Sequence, residues 1–156
     1  MQRVLSFASK LLVAGILLLA LSAPVSASKP EEVVFTFDLV ITVPDAAAEG
    51  SFVATGAIED SGTVDETFRW TDEGILQGTM ILTGAKGTIT LRFHLELLPI
   101  IGPPPVVPTV GRFVVVSGTG AYENIHGVGT AESMVYVAED PVAIDATFAG
   151  KVHIDP

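Results

Sequence analysis

Apolar and polar residues alternate with a period of two along most of the chain beyond residue 30. In the segment 89–97, Ile, Leu, Phe, Leu and Leu alternate with Thr, Arg, His and Glu. Such alternation is typical of a β-strand with one face in a core. Turn residues separate the alternating runs, and Ser61-Gly62 has the composition of a tight hairpin turn. The pattern predicts eight strands, at 33–43, 52–60, 64–70, 75–83, 89–97, 112–117, 129–137 and 142–154.

The predicted strands follow one another without helical segments, which argues against a parallel βαβ architecture. Eight antiparallel strands with no protected edges favour closure into a barrel, because closure removes unpaired edges. The fold class is therefore predicted as all-β, an eight-stranded antiparallel up-and-down barrel. Small residues such as Gly78, Ala146 and Gly150 lie within the strands. They either leave a cavity or let the barrel bend tightly, and the pattern leaves both readings open.

The alternation is interrupted between Pro99 and Gly111, where Ile100-Ile101-Gly102 is followed by three consecutive prolines. Proline donates no hydrogen bond to a strand ladder, so this segment is predicted as a long apolar loop rather than a central strand. Two placements are open: a lid over one end of the barrel, or packing on its outer surface.

The first 27 residues have the three-part layout of a secretory signal peptide. Arg3 and Lys10 precede an apolar run at 11–21, and small residues end at Ala27, the expected cleavage point. The run is too short for a spanning helix, which needs roughly 20 apolar residues. The sequence predicts a leader at 1–27, one domain at 28–156 with no stable membrane span, and a secreted or periplasmic location.

Charge and cysteine content narrow the possible partners. Cleavage would remove two of the eight basic residues and leave all 18 acidic ones. Nucleic acid and anionic membrane surfaces attract basic proteins, so neither is expected as a partner. The chain has no cysteine, which excludes disulfides, zinc-thiolate sites and cysteine nucleophiles. An apolar core must therefore hold the domain together.

The segment 117–130, SGTGAYENIHGVGT, is the most distinctive in the chain. We expect a short helical turn at 121–125, with Tyr122 and Ile125 pointing inward. The run G-T-G-x-[FY]-x-x-[IVL]-x-G before a long strand pair resembles the allene oxide cyclase and dirigent-like barrels and their uncharacterised bacterial secreted relatives. The resemblance covers roughly the last 45 residues. It implies a calycin-like barrel with an apolar central cavity, and commonly a homo-oligomer, often a trimer. The family's catalytic carboxylate has no matching motif around Asp38, so no catalytic role is transferred.

Candidate chemistry is sparse elsewhere. His94, His126 and His153 lack metal-motif spacing, and His94 and His153 are expected on solvated faces with cross-strand charge pairs. The glycine-rich segment lacks the lysine and helix of a phosphate-binding loop. Ser117 and Ser133 lack a nucleophile elbow. No catalytic residue, metal or cofactor is predicted.

Acidic residues near the second hairpin are expected to be solvated. Asp60, Asp65 and Glu66 lack calcium-loop spacing. A solvated turn is therefore the expected environment for all three.

Three function hypotheses follow from these features. The first is a binding protein with a small apolar molecule in the barrel mouth, for which Phe37, Phe93 and Tyr122 are the predicted ligand-binding residues. For Tyr122 the alternative is a core anchor with a satisfied hydroxyl. The second is a structural or interaction protein with a filled barrel. The third is a cyclase, isomerase or dirigent-type protein, which needs polar groups inside the cavity. Two or more ionisable side chains pointing into the barrel would favour it, and a purely aliphatic interior would contradict it.

Overall fold

The computed structural model describes residues 29–156, and the predicted leader at 1–27 lies outside them. Eight long strands and one short 3-10 helix account for most of the described chain. The strands begin where the alternation begins, because period-two apolar positions can all face one side of a sheet. In chain order the elements are β1 Glu31–Val43, β2 Ala47–Gly56, β3 Asp60–Trp70, β4 Ile75–Gly84, β5 Gly87–Leu97, β6 Val107–Gly118, the 3-10 helix Gly120–Tyr122, β7 Ile125–Tyr136 and β8 Ala143–Ile154.

The strands form a closed barrel in which each pairs antiparallel with its neighbours in chain order. Closure comes from β1, which pairs with β2 on one side and with β8 on the other. This confirms the predicted all-β, eight-stranded antiparallel up-and-down barrel. The barrel has two ends. β1, β3, β5 and β7 finish at the first, called here the open end, and they begin at the second, called the closed end. In the segment 29–156, no helix is long and apolar enough to cross a membrane.

The predicted turn at Ser61-Gly62 is wrong, because both residues lie inside β3. The connection from β2 to β3 is formed by residues 57–59 instead. Gly62 marks a close approach between strands: a Cβ there would lie 2.0 Å from the carbonyl oxygen of Thr83 on β4. Glycine in a strand interior often marks such an approach, which a sequence pattern cannot distinguish from a turn.

The predicted loop at 99–111 is correct only in its first part, because β6 begins at Val107 and includes Pro108. The β5–β6 register ends at Leu97 opposite Thr109, so Pro108 lies just beyond the last paired residue of β5, where its carbonyl accepts the Leu98 N–H at 2.9 Å. At the end of a ladder the missing N–H of proline is tolerated. Before it, Ile101 and Val106 pair through two 3.0 Å backbone hydrogen bonds. The resulting β5–β6 hairpin, residues 98–106, is exposed to solvent: Ile100 is 65% exposed. Its first residue, Leu98, lines a groove of the outer wall, and residues 99–105 are exposed.

Phenylalanine rings fill the centre of the barrel. Phe148 packs against Phe37, Phe93 and Phe113, with ring centroids 5.0, 6.3 and 5.3 Å away. The inward-facing glycines make room for these rings: a Cβ at Gly78 would lie 2.3 Å from the Phe93 ring. The small residues thus admit large neighbours rather than leave a central cavity. We call the five phenylalanines of the centre the aromatic cluster: Phe35, Phe37, Phe93, Phe113 and Phe148.

Candidate functional site

A cavity of about 430 Å³ occupies the open end of the barrel. Its walls are mainly apolar and come from positions near the open-end termini of five strands and from the adjoining loops. This volume is in the range of small-molecule sites, which are typically apolar with a few polar groups. The strand residues that line it are Ile41, Thr42, Glu66, Phe68, Trp70, Leu76, Val135 and Ile144.

Glu66 contributes a carboxyl group to this cavity. It is 4% exposed, and its Oε2 atom is buried with no hydrogen-bond partner among residues 29–156. The alternation along β3 explains the orientation: Asp65 faces solvent, whereas Glu66 shares the inward register with Val64 and Phe68. Burial raises the pKa of Glu66 to about 7, because a low-dielectric environment disfavours the charged form. The predicted solvated environment is therefore wrong for Glu66.

The rim of the cavity carries the only tryptophan in the sequence. The Trp70 Nε1–H donates a 3.1 Å hydrogen bond to Asp45 in the β1–β2 turn. Trp70 lines the cavity and is 40% exposed. Asp140, in the β7–β8 loop, also lines the rim. The bond between Trp70 and Asp45 fixes the turn beside the strand that carries Glu66.

Three other hollows, of about 480, 530 and 670 Å³, lie on the outer wall. Outward-facing polar side chains such as Arg92, Thr130 and Glu132 line them. They are shallow grooves between the outward-facing side chains of neighbouring strands. We therefore place the candidate site at the open end, where burial and an unpaired polar atom coincide.

The polar contacts of the closed end centre on Asp60, which is the first residue of β3 rather than a turn residue and is partly exposed, as predicted. Its carboxylate accepts the hydroxyl of Tyr122 at 2.7 Å and the backbone N–H groups of Ser61, Ala85 and Lys86 at 2.9 to 3.2 Å. These bonds connect the β2–β3 connection, the β4–β5 turn and the 3-10 helix. The hydrogen bond from Tyr122 is the largest of the influences that lower the pKa of Asp60. Burial, followed by Asp60, raises the pKa of Tyr122.

The three predicted ligand-binding residues do not meet at the open end. Phe37 and Phe93 belong to the aromatic cluster, and Tyr122 lies at the closed end with its hydroxyl bound to Asp60. None of the three lines the cavity that contains Glu66. Tyr122 and Ile125 are both buried, as the sequence predicts. A ligand-binding role for Phe37, Phe93 and Tyr122 stays a prediction, whereas the anchor role of Tyr122 has direct hydrogen-bond support.

The histidines are placed differently from the expected charge pairs. His126 lies opposite His153 across β7 and β8, and each Nε2 is within 3.9 Å of Asp155 Oδ2. His94 lies opposite Gln77 and Arg112 and forms no ion pair in the part of the chain that the structure describes. Within that part, no group of three or more histidine or acidic residues is arranged to hold a metal ion.

The sequence did not predict the buried hydroxyl pair of Thr109 and Ser133, because Thr109 lies in the segment that was predicted as a loop. Thr109 Oγ1 and Ser133 Oγ lie 2.6 Å apart on facing positions of β6 and β7. Both side chains are buried, and each satisfies the other. The pair needs no ligand, in contrast to Glu66.

No protein-family model, no curated protein and no solved structure matches the chain. The resemblance to the allene oxide cyclase and dirigent-like barrels stays a prediction.

Proposed function

We propose that the protein binds a small, mainly apolar molecule in the cavity at the open end of the barrel. One observation carries this proposal: a mainly apolar cavity of about 430 Å³ contains the buried Glu66 carboxyl, whose Oε2 atom lacks a partner. Buried polar groups are normally hydrogen-bonded, and leaving one unpaired is costly. A ligand donor at this position would remove that cost.

The filled centre and the hydrogen-bonded closed end support entry of a ligand from the open end. The aromatic cluster occupies the middle of the barrel, and the Asp60 and Tyr122 contacts hold the other end together. A ligand therefore enters between the loops of the open end. Trp70 lies on that rim, so its fluorescence is a natural reporter of occupancy.

The test is a titration of the ligand-free protein with small amphipathic molecules, followed by Trp70 fluorescence and calorimetry. Saturable binding with one molecule per chain supports the proposal. Leu76→Trp, which fills the cavity wall, should abolish binding, whereas Leu97→Trp at an exposed site outside it should not. Failure of every probe to bind the folded protein would contradict the proposal.

The ionisable side chains of the cavity bear on the third hypothesis, that the protein is an enzyme. Two or more ionisable side chains pointing into the barrel would favour a cyclase, isomerase or dirigent-type activity. Three carboxyl groups line the cavity, but among residues 29–156 Glu66 is the one that is buried, whereas Asp45 and Asp140 are exposed on the rim. This favours binding over catalysis.

The exposed β5–β6 hairpin supports a second candidate, self-association of the barrel. Ile100 and Ile101 are 65% and 51% exposed, next to three exposed prolines. Contiguous exposed apolar residues mark interaction surfaces. Sedimentation velocity should show a homo-oligomer that dissociates on Ile100→Ser combined with Ile101→Ser. A wild-type monomer at all concentrations would contradict this candidate.

We also propose that the protein acts after export, in a secreted or periplasmic location. The layout of residues 1–27 supports this. The intact mass of protein isolated from its natural source tests it: the expected chain begins at Ser28, and a chain retaining residues 1–27 would contradict export by this route.

A further inference from the structure

Every element around Glu66 presents apolar side chains to it. Across the sheet its register partners are Ala48 on β2 and Met80 on β4. On its own strand the neighbours on the same face are Val64 and Phe68. None of these four side chains can donate a hydrogen bond to Oε2. Within residues 29–156, Glu66 Oε2 therefore has no donor, and we expect a bound molecule to supply it.

The titratable groups that face the cavity are all acidic. Besides Glu66 they are Asp45 in the β1–β2 turn and Asp140 in the β7–β8 loop. The β4, β7 and β8 walls contribute Leu76, Val135 and Ile144, and among residues 29–156 no lysine, arginine or histidine lines the cavity. Clefts lined by charges of one sign concentrate ligands of the opposite sign. The nearest neutral donor on the rim, the indole N–H of Trp70, is already bonded to Asp45.

We infer that the ligand is a lipophilic amine, whose ammonium group donates a hydrogen bond to the Glu66 carboxylate while its apolar part packs against the cavity walls. This inference rests on the proposed function and narrows its ligand class. An anionic amphiphile is disfavoured by the three carboxyl groups, and a neutral alcohol satisfies Oε2 without using the surrounding negative charge. Hydrogen bonds between ionised partners are stronger than those between neutral ones.

Binding of an amine is coupled to the proton on Glu66. Burial raises the pKa of this carboxyl to about 7, so below that pH the free protein must lose a proton before an ion pair forms. The affinity for an amine should therefore fall about tenfold per pH unit below 7. Above pH 7 it levels off, until the amine itself loses its proton near pH 10.

The experiment compares n-octylamine, n-octanol and n-octanoate, which share one chain length, below their micelle-forming concentrations. Binding is followed by Trp70 fluorescence and calorimetry between pH 5.5 and 8.5. At pH 8 octylamine should bind at least about tenfold more tightly than octanol, and octanoate should bind most weakly. Glu66→Gln should remove both the amine preference and the pH dependence, and Glu66→Asp should retain them in part. Asp65→Asn, the same charge change on the outward-facing neighbour, is the control and should change neither.

The outcomes distinguish failure of the amine inference from failure of the proposed binding function. If octanol binds as tightly as octylamine at every pH, the amine inference is wrong and the proposed function stands. If no probe binds, the proposed function is wrong as well. Circular dichroism shows whether Glu66→Gln folds. If it does not fold, the amine inference is tested by the wild-type protein alone, through the pH dependence of octylamine binding and the order of affinities for the three probes.

Discussion

Replacing Glu66 by glutamine should change how the stability of the ligand-free protein depends on pH. The Glu66 carboxyl has a pKa of about 7 in the folded protein, against 4.5 for an unperturbed glutamate. Below pH 4.5 both the folded and the unfolded chain hold the proton. As the pH rises from 4.5 towards 7, the unfolded chain releases the proton first, so unfolding becomes more favourable. Above 7 the folded carboxyl ionises too, and the loss of stability levels off.

The size of this effect follows from the difference between the two pKa values. One pKa unit corresponds to about 1.4 kcal/mol, so raising the pKa from 4.5 to about 7 removes about 3 kcal/mol from the free energy of unfolding between pH 4 and 8.5. That is a large part of the stability of a typical small domain. Because Glu66 is 4% exposed, solvent screening reduces the figure little. The glutamine amide also lacks a partner, so the pH slope rather than the absolute stability is diagnostic.

Urea unfolding at constant ionic strength, followed by Trp70 fluorescence and circular dichroism, measures this slope. The wild-type curve minus the Glu66→Gln curve should fall by about 3 kcal/mol across the pH range. Other carboxyl groups titrate in both proteins and cancel in the difference. Asp65→Asn should keep the wild-type slope. A difference that changes by less than about 1 kcal/mol, or an equal loss of slope in Asp65→Asn, would refute the argument that burial raises the pKa of Glu66.

Two further predictions concern the other polar contacts of the barrel. Tyr122→Phe keeps the buried ring but removes the 2.7 Å hydrogen bond to Asp60, and urea unfolding should show a loss of about 1–2 kcal/mol. Tyr136→Phe, which removes an exposed hydroxyl contact, should cost under about 0.5 kcal/mol, and equal costs would count against a special role for the closed end. Ser133→Ala leaves the buried Thr109 hydroxyl unpaired and should cost about 1–3 kcal/mol. Adding Thr109→Val should recover part of that loss, and a double variant whose costs simply add would show that the two hydroxyls are not coupled.

The strand count was predictable because the core of a barrel imposes a period of two on every strand. The errors occurred where one residue type serves two purposes. Gly62 is inside β3 for a close approach between strands, although glycine also suggests a turn. Pro108 lies in β6 because it occupies the position where the β5 ladder ends, and the sequence pattern contains no information about that register.

The candidate site was only partly visible in the sequence. Glu66 stands in the same register as Val64 and Phe68, and a carboxylate at an apolar position of an alternating strand was the signal that could have identified it. The cavity around it was not predictable, because its volume depends on how far the aromatic cluster fills the barrel. Which of Phe37, Phe93 and other rings reach the centre depends on side-chain packing, and alternation gives only the face on which they lie.

The seam of the barrel joins the first strand of the domain to the last. β1 pairs with β8 from Glu31 opposite Val152 to Val40 opposite Ala143, about a hundred residues apart along the chain. Contacts so distant in sequence are slow to form, because the chain must lose much of its freedom before it gains them. Until β8 has joined β1, a growing or truncated chain exposes two unpaired strand edges, which are templates for aggregation. Pairing of β8, the last twelve-residue strand, therefore determines when the chain loses the exposed edges through which it could aggregate with other copies.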